Sequence, residues 1–192
     1  WKAHKIQVKA PGRHNLNNAL AAITLCREAG VTNEASVVQG LSAYTPLSGR
    51  SRIITGDVTI YDDGYNASLE AMGLAVETLT GLPGNRKIAV LGAMKELGSF
   101  EEEAHKLLGD LVRSADLDQV YLFGEEMLAA ADVLKESSAF VVHTDSFELL
   151  EQALSENVKK GDVVLIKGSR SMELERVIPL LQGAGEKGES FV

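Results

Sequence analysis

The sequence has a single cysteine, Cys26, only four prolines among 192 residues, and aromatic residues at 5%. One thiol excludes an internal disulfide framework and fits a reducing compartment, so a cytoplasmic protein is expected. Cys26 falls on a helical pattern, where a small buried hydrophobe is the expectation rather than a nucleophile. No apolar run approaches the roughly 20 residues of a membrane span. The opening, WKAHKIQVKAPG, has no apolar signal segment. Positive charge is also short, with 19 basic against 27 acidic residues and a net charge of −8. Without a basic stripe, neither nucleic acid nor a membrane is an expected partner. Several catalytic signatures are missing as well. There is no G-x-x-x-x-G-K-[ST], no H-E-x-x-H, no G-x-S-x-G and no paired Cys motif. His4, His14, His105 and His143 are too scattered for an obvious metal site, and His143, at a strand end, is expected to be structural.

What the sequence does have is a core. Hydrophobic residues make up 45% of the chain, and they recur in two periods. Residues 15–29 carry Leu16, Ala19, Leu20, Ile23 and Cys26 at helical spacing, with Gly30 as the stop. A second helix is expected from Asn33 to about Ala43, with Ala35, Val38 and Leu41 inward. YTPLSGRSR then reads as a linker. Beyond it, RIITGDVTIY predicts a hairpin with Gly56-Asp57 as a tight turn.

Strands at Val58–Tyr61, Ile88–Leu91, Val120–Phe123, Phe140–Val142 and Val163–Ile166 alternate with helices near 69–80, 101–114, 126–135, 146–157 and 172–182. Ser68 is a candidate cap, Ser99 with Glu102 a capping box, and Gly81 a helix end. Pro179 should kink or shorten the last helix. The tail GAGEKGESFV is expected to be loose. This alternation predicts an α/β fold, a doubly wound, mostly parallel sheet with helices on both faces. Trp1 followed by a short strand-like piece reads as a start inside a domain, and the division expected is 1–46 and 47–192.

Polar residues gather where strands hand over to helices, which is where open α/β sheets bind ligands. TIYDDGYNASLEAM places Asp62, Asp63, Tyr65 and Asn66 after the first parallel strand. LGAMKELGS places Gly92, Lys95 and Glu96 after the second. KGSRSMELE places Lys167, Ser169 and Arg170 after the last, beside a helix N-terminus suited to an anion. One such cluster would be an ordinary turn; three argue for a small-molecule site. A fourth cluster, Arg13, His14, Asn15 and Asn18, has two readings. Either Asn15 caps the helix and His14 is simply exposed, or both reach a ligand; the residues alone favour the cap. Pattern by itself stops at an α/β ligand-binding domain with an unknown ligand.

In order, PGRHNLNNALAA, SGR, DDGYNAS, GAMKELG and KGSRSMELE resemble the Mur ligase family over almost the whole chain. The match points in particular to the branch that joins D-alanyl-D-alanine to UDP-N-acetylmuramoyl-tripeptide in peptidoglycan synthesis. The resemblance implies a central ATPase domain, whose last helices would be residues 1–46, and a C-terminal Rossmann-like domain. The phosphate-binding loop and most Mg²⁺ ligands would then lie upstream of Trp1. It further implies ATP and Mg²⁺ as cofactors, an acyl-phosphate route, and a monomer inactive as this piece alone. His14, Asn15, Asn18, Arg50 and Asp63 would bind ATP, and Tyr65, Asn66, Lys167, Ser169 and Arg170 the dipeptide. No catalytic residue is assigned with certainty and no metal ligand is expected here.

Two positions depart from the family, Ser68 where Asn is usual and Ala93 where an acidic residue is usual, and a changed dipeptide preference is one possible consequence. Rival readings are another Mur or folylpolyglutamate-type amide ligase, a stand-alone binding module and a phosphoacceptor receiver. Asp62, Asp63 and Lys167 mimic the last of these, but VYLFGEE puts Gly124 where a receiver needs an Asp.

Overall fold

The computed structural model describes residues 4–183. Trp1 and residues 184–192 of the tail expected to be loose lie outside them. The chain starts with two helices, α1 (Arg13–Glu28) and α2 (Glu34–Ala43). Helix α1 begins two residues before the expected start because Gly12 turns the chain at φ 91°. A Cβ there would meet the folded-back His14 ring at 2.5 Å, so a side chain is excluded. Asn15 is therefore inside the first turn and does not cap it; its amide donates to the Pro11 carbonyl at 2.6 Å. Gly30, at φ 83°, ends the helix as expected. Asn33 caps α2 by accepting from the Ser36 N–H at 3.2 Å.

The apolar stripes of these helices differ from expectation. Neither helix fully buries a residue. Leu16 and Leu20 are 57% and 62% exposed, Ala35 is exposed, and Cys26 is only half-buried. An amphipathic helix needs a second layer to cover its stripe, and among the described residues α1 and α2 have little beyond one another.

The rest is one sheet with the strand order β1-β2-β6-β3-β4-β5. Its strands are β1 (Arg52–Ile54), β2 (Thr59–Asp62), β3 (Lys87–Gly92), β4 (Gln119–Phe123), β5 (Phe140–Thr144) and β6 (Val163–Lys167). All neighbours are parallel except β1 and β2. The helices between them are α3 (Leu69–Gly81), α4 (Glu101–Ser114), α5 (Leu128–Leu134), α6 (Phe147–Asn157) and α7 (Ile178–Gly183). The expected mostly parallel sheet covered on both faces is what forms.

Alternation along the strands divides the core in two. Tyr61, Ala89, Leu91, Val120, Leu122 and Leu165 pack against α3, α4 and α5. Ile60, Ile88, Val90, Tyr121, Val164 and Ile166 pack against α6 and α7. Strands buried on both faces read as unbroken apolar runs, which is why they were legible. The edge of the sheet where β6 begins is tied by Arg86, whose Nε and Nη2 reach the Asp162 carboxylate at 2.9 and 2.6 Å. That hydrogen-bonded carboxylate raises the Arg86 pKa.

Three local expectations fail for identifiable reasons. The hairpin has no two-residue Gly56-Asp57 turn: its last register pair is Ile54↔Ile60. The connecting backbone bonds sideways to the approach to β6 instead, with the Gly161 N–H on the Asp57 carbonyl at 2.7 Å. The Ser99–Glu102 capping box does not form, because Gly98–Phe100 is a 3-10 turn running directly into α4. Glu102 pairs with Lys106 one turn on. The last helix is two 3-10 turns, Arg170–Met172 and Leu174–Val177, before α7. Pro179 thus lands in the first turn of α7, where its missing N–H leaves no bond unmade. Ser68 caps α3 as expected, accepting from the Ala71 N–H at 3.4 Å, and the helix ends at Gly81.

Leu165, on the central strand β6, is 0% exposed. Truncation to Ala should destabilise the chain by about 2–5 kcal/mol through lost transfer energy and the cavity left behind. Urea titration with an unchanged slope is the check.

Candidate functional site

Strand β6 lies between β2 and β3. Strands β2 and β3 lead into α3 and α4 on one face, whereas β6 leads into α7 on the other. The backbone therefore diverges on both sides of β6 at the strand C-termini, giving two crevices of the kind in which such sheets bind ligands.

The crevice between β6 and β3 is closed. Gly168 and Gly92 approach so closely that a Cβ on Gly168 would stand 3.0 Å from the Gly92 Cα. The Ser169 N–H donates to the Ala93 carbonyl at 3.1 Å, and the Ser169 hydroxyl accepts from the Lys95 N–H at 2.9 Å. The next amide, Met94 N–H, donates to His105 Nε2 at 3.0 Å, while His105 Nδ1 lies 2.8 Å from the Glu101 carbonyl. These partners assign a neutral ring with the proton on Nδ1. The Lys95 ammonium pairs with Glu126. Ala93, one of the two departures, is 0% exposed within this seam, a position with no room for a solvated carboxylate.

The crevice between β2 and β6 is open, and α1 faces it. Together they form a cleft of about 330 Å³ lined by His14, Asn15, Asn18, Tyr44, Gly49, Arg50, Ser51, Asp63, Tyr65, Asn66 and Lys167, with Ala71 and Leu74 from α3. Every expected nucleotide residue and three of the expected dipeptide residues share this one space. Ser169 and Arg170 do not: Ser169 is in the closed seam, and Arg170 is exposed and paired with Glu175. That pairing raises the Arg170 pKa.

At the centre of the cleft is an ion pair. Lys167 is only 3% exposed, and its ammonium meets Asp63 Oδ2 at 2.6 Å. Two further bonds, to the Asp63 carbonyl at 3.4 Å and the Asn66 carbonyl at 3.1 Å, use its remaining donors. Asp63 Oδ1 accepts from the Ser51 N–H at 2.8 Å and hydroxyl at 3.2 Å. Arg50 lies over the Tyr65 ring at 3.7 Å and, among the described residues, makes no ion pair. Its guanidinium edge is left for an anion. On the opposite wall, the Asn15 amide lies 2.9 Å from His14 Nε2 and assigns that nitrogen as acceptor. His14 Nδ1 is then a buried donor with no protein partner.

Sequence reasoning missed Ser51, Tyr44 and His105. Ser51 is buried and left-handed at φ 56°, a conformation rare for Ser. Its only trace was the turn-forming SGRS. His105 falls on the buried stripe of α4 with Ala104, Leu108 and Val112, so its periodicity was visible.

Residues 49–170 match the domain described as Mur ligase, glutamate ligase domain. The chain belongs to the Mur ligase family. It is 35% identical over 184 residues to the UDP-N-acetylmuramoyl-tripeptide–D-alanyl-D-alanine ligase of Treponema pallidum, covering 95% of this chain and 40% of that protein. The Bacillus subtilis ligase of the same name is 36% identical over 173 residues, covering 87% and 37%. Among solved structures, the MurF ligase from Thermotoga maritima in complex with ADP has 34% identity and a TM-score of 0.79, over 94% of this chain and 40% of that one. The chain thus spans about 40% of the length of the Mur ligase it matches in Treponema. Among the described residues no cluster of three or more His, Cys, Asp or Glu side chains could hold a metal, and no helix is long and apolar enough to cross a membrane.

Two tests follow. Lys167→Met leaves the half-buried Asp63 without its cation and should destabilise the chain by about 1–3 kcal/mol in urea titration. The hydrogen bond from Lys95 holds the Glu126 carboxyl below its ordinary value. Its contribution is therefore present above the unfolded carboxylate range and lost as pH falls through the folded value. Glu126→Gln should flatten the acid limb of a stability–pH curve and leave the limb above neutrality unchanged.

Proposed function

We propose that this chain is the C-terminal portion of an ATP-dependent ligase that joins D-alanyl-D-alanine to UDP-N-acetylmuramoyl-tripeptide through an acyl phosphate. The carrying observation is the single cleft in which the His14–Asn15 helix end faces Arg50, Asp63, Tyr65 and Asn66. In this reading residues 1–46 close the central ATPase domain and residues 47–192 form the C-terminal domain. The protein is a cytoplasmic monomer, inactive as this portion alone. The relatives' names give the reaction, and the ADP in the Thermotoga structure supports a nucleotide here.

The residues fit such a ligand. His14 Nδ1 is an unsatisfied donor suited to a base or ribose oxygen, with Asn15 and Asn18 beside it. Asp63, with three donors already on its carboxylate, keeps acceptor capacity for a ribose hydroxyl. The free edge of Arg50 suits a phosphate, where a permanent cation offsets charge developing during transfer. Tyr65 and Asn66 face the incoming dipeptide, and Lys167 acts by holding the Asn66 carbonyl and Asp63. Ser169, closed into the seam, reaches the dipeptide only indirectly by holding the turn that carries the exposed Arg170, which serves the dipeptide from outside the cleft. Mg²⁺ supplies charge neutralisation for phosphoryl transfer, with its ligands outside this chain.

The test is amide formation and phosphate release by the longer protein of which this chain is a part, given ATP, Mg²⁺, the UDP-tripeptide and a panel of D-dipeptides. Arg50→Ala should lower kcat by roughly 10²–10³, and Tyr65→Ala should raise the dipeptide KM. Amide formed only with a different amine would make the protein another amide ligase of the family. Absence of any ATP-dependent product would leave a binding module.

A further inference from the structure

Arg50 is held by backbone, and the backbone is held by carboxylates. The residue before it, Gly49, donates its N–H to Asp62 Oδ2 at 2.9 Å, and its carbonyl accepts from the Tyr65 N–H at 3.0 Å. The residue after it, Ser51, donates its N–H to Asp63 Oδ1 at 2.8 Å. Adjacent carboxylates at the end of β2 thus grip the peptide on each side of Arg50. Gly49 and Ser51 are both left-handed, at φ 72° and 56°. A Cβ on Gly49 would stand 3.0 Å from the Tyr65 nitrogen. This backbone does not hold its shape by local preference, least of all at Ser51, so the anchors must impose it.

Asp62 is the deeper anchor. It is 0% exposed and also binds Arg52 Nη2 at 2.9 Å, with the Ser48 hydroxyl at 3.4 Å. A carboxylate taken out of water needs this compensation, and Arg52, across the β1–β2 register, provides it. Asp62 does not line the cleft.

We infer that Asp62 is a positioning residue for Arg50. Its buried carboxylate fixes the 48–52 segment so that the guanidinium stacks on Tyr65 with its free edge facing the cleft. The catalytic consequence rests on the ligase proposed above; the mechanical coupling does not.

Two measurements separate these. In the 192-residue chain, the Arg50 side-chain protons should carry an upfield NMR shift from the Tyr65 ring, and Tyr65→Leu gives the unstacked value. Asp62→Ala should move Arg50 to that value while core methyl resonances such as those of Leu165 stay in place. Asp62→Asn, which keeps the volume and one acceptor, should give an intermediate shift. Where Asp62→Ala fails to fold, Asp62→Asn decides. An Arg50 shift unchanged from wild type in the folded variant overturns the assignment.

In the longer protein, Asp62→Ala should lower kcat roughly tenfold, in the same direction as Arg50→Ala and by less. Combined with Arg50→Ala it should add nothing to the effect of Arg50→Ala alone. Multiplying effects would show that Asp62 acts by another route and would also overturn the assignment. If Arg50→Ala alone leaves ligation unchanged, the ligase role of Arg50 fails, while the NMR shift still decides the coupling.

Discussion

The cleft depends on how a pair of neighbouring carboxylates is compensated where β2 and β6 end. Asp62 and Asp63 occupy consecutive positions, so in the extended strand one turns inward and the other toward the cleft. Two unpaired charges there would be expensive to bury. Each has its own cation: Arg52 from the antiparallel strand for Asp62, and Lys167 from the parallel neighbour for Asp63. Those cations come from opposite sides of β2, so the arrangement needs the sheet to be complete on both edges of that strand. Fold and site are linked at this point.

From this, the rest of the geometry follows in sequence. Lys167, fixed by Asp63, also holds the Asn66 carbonyl and sets the loop that carries Tyr65. Asp62 and Asp63 hold the backbone around Arg50, and Arg50 stacks on Tyr65. Along the cleft, capacity is left over at the guanidinium edge, at part of the Asp63 carboxylate and, on the opposite wall, at His14 Nδ1, while behind the cleft the buried Asp62 Oδ1 has no partner among the described residues.

Much of this was legible in the sequence, for physical reasons that differ by element. The parallel strands announced themselves because burial on both faces forces unbroken apolar runs such as VVLI and IAVL. Helix ends marked by one residue, Ser68, Gly30 and Asn33, were readable because a cap is a local bond. Features settled by distant partners were not. The Gly56-Asp57 connection is shaped by Gly161, over a hundred residues away, and the Ser99 box lost to a 3-10 turn at Gly98. The apolar stripe of α1 predicted a helix correctly but could not say what would cover it. Among the candidate residues, strand-end clustering found most of the cleft. It could not distinguish Lys167, which faces the open crevice, from Ser169 two positions later, which faces the closed one.

That closed seam affects how natural variation in this protein should be interpreted. Gly92 and Gly168 meet backbone to backbone, with Ser169 bonded across them. Strand-end positions on the two sides of β6 look alike in composition, yet they answer to different pressures. On the β2 side, under the ligase proposed above, replacements at the cleft surface will be sorted by what they do to a ligand. On the β3 side, they will be sorted by whether two strands can still touch. A polymorphism in GAMKEL and one at the exposed Tyr65 would carry the same surface description and different meanings, the first altering how much folded protein a cell retains and the second, under the ligase proposed above, how well that protein works.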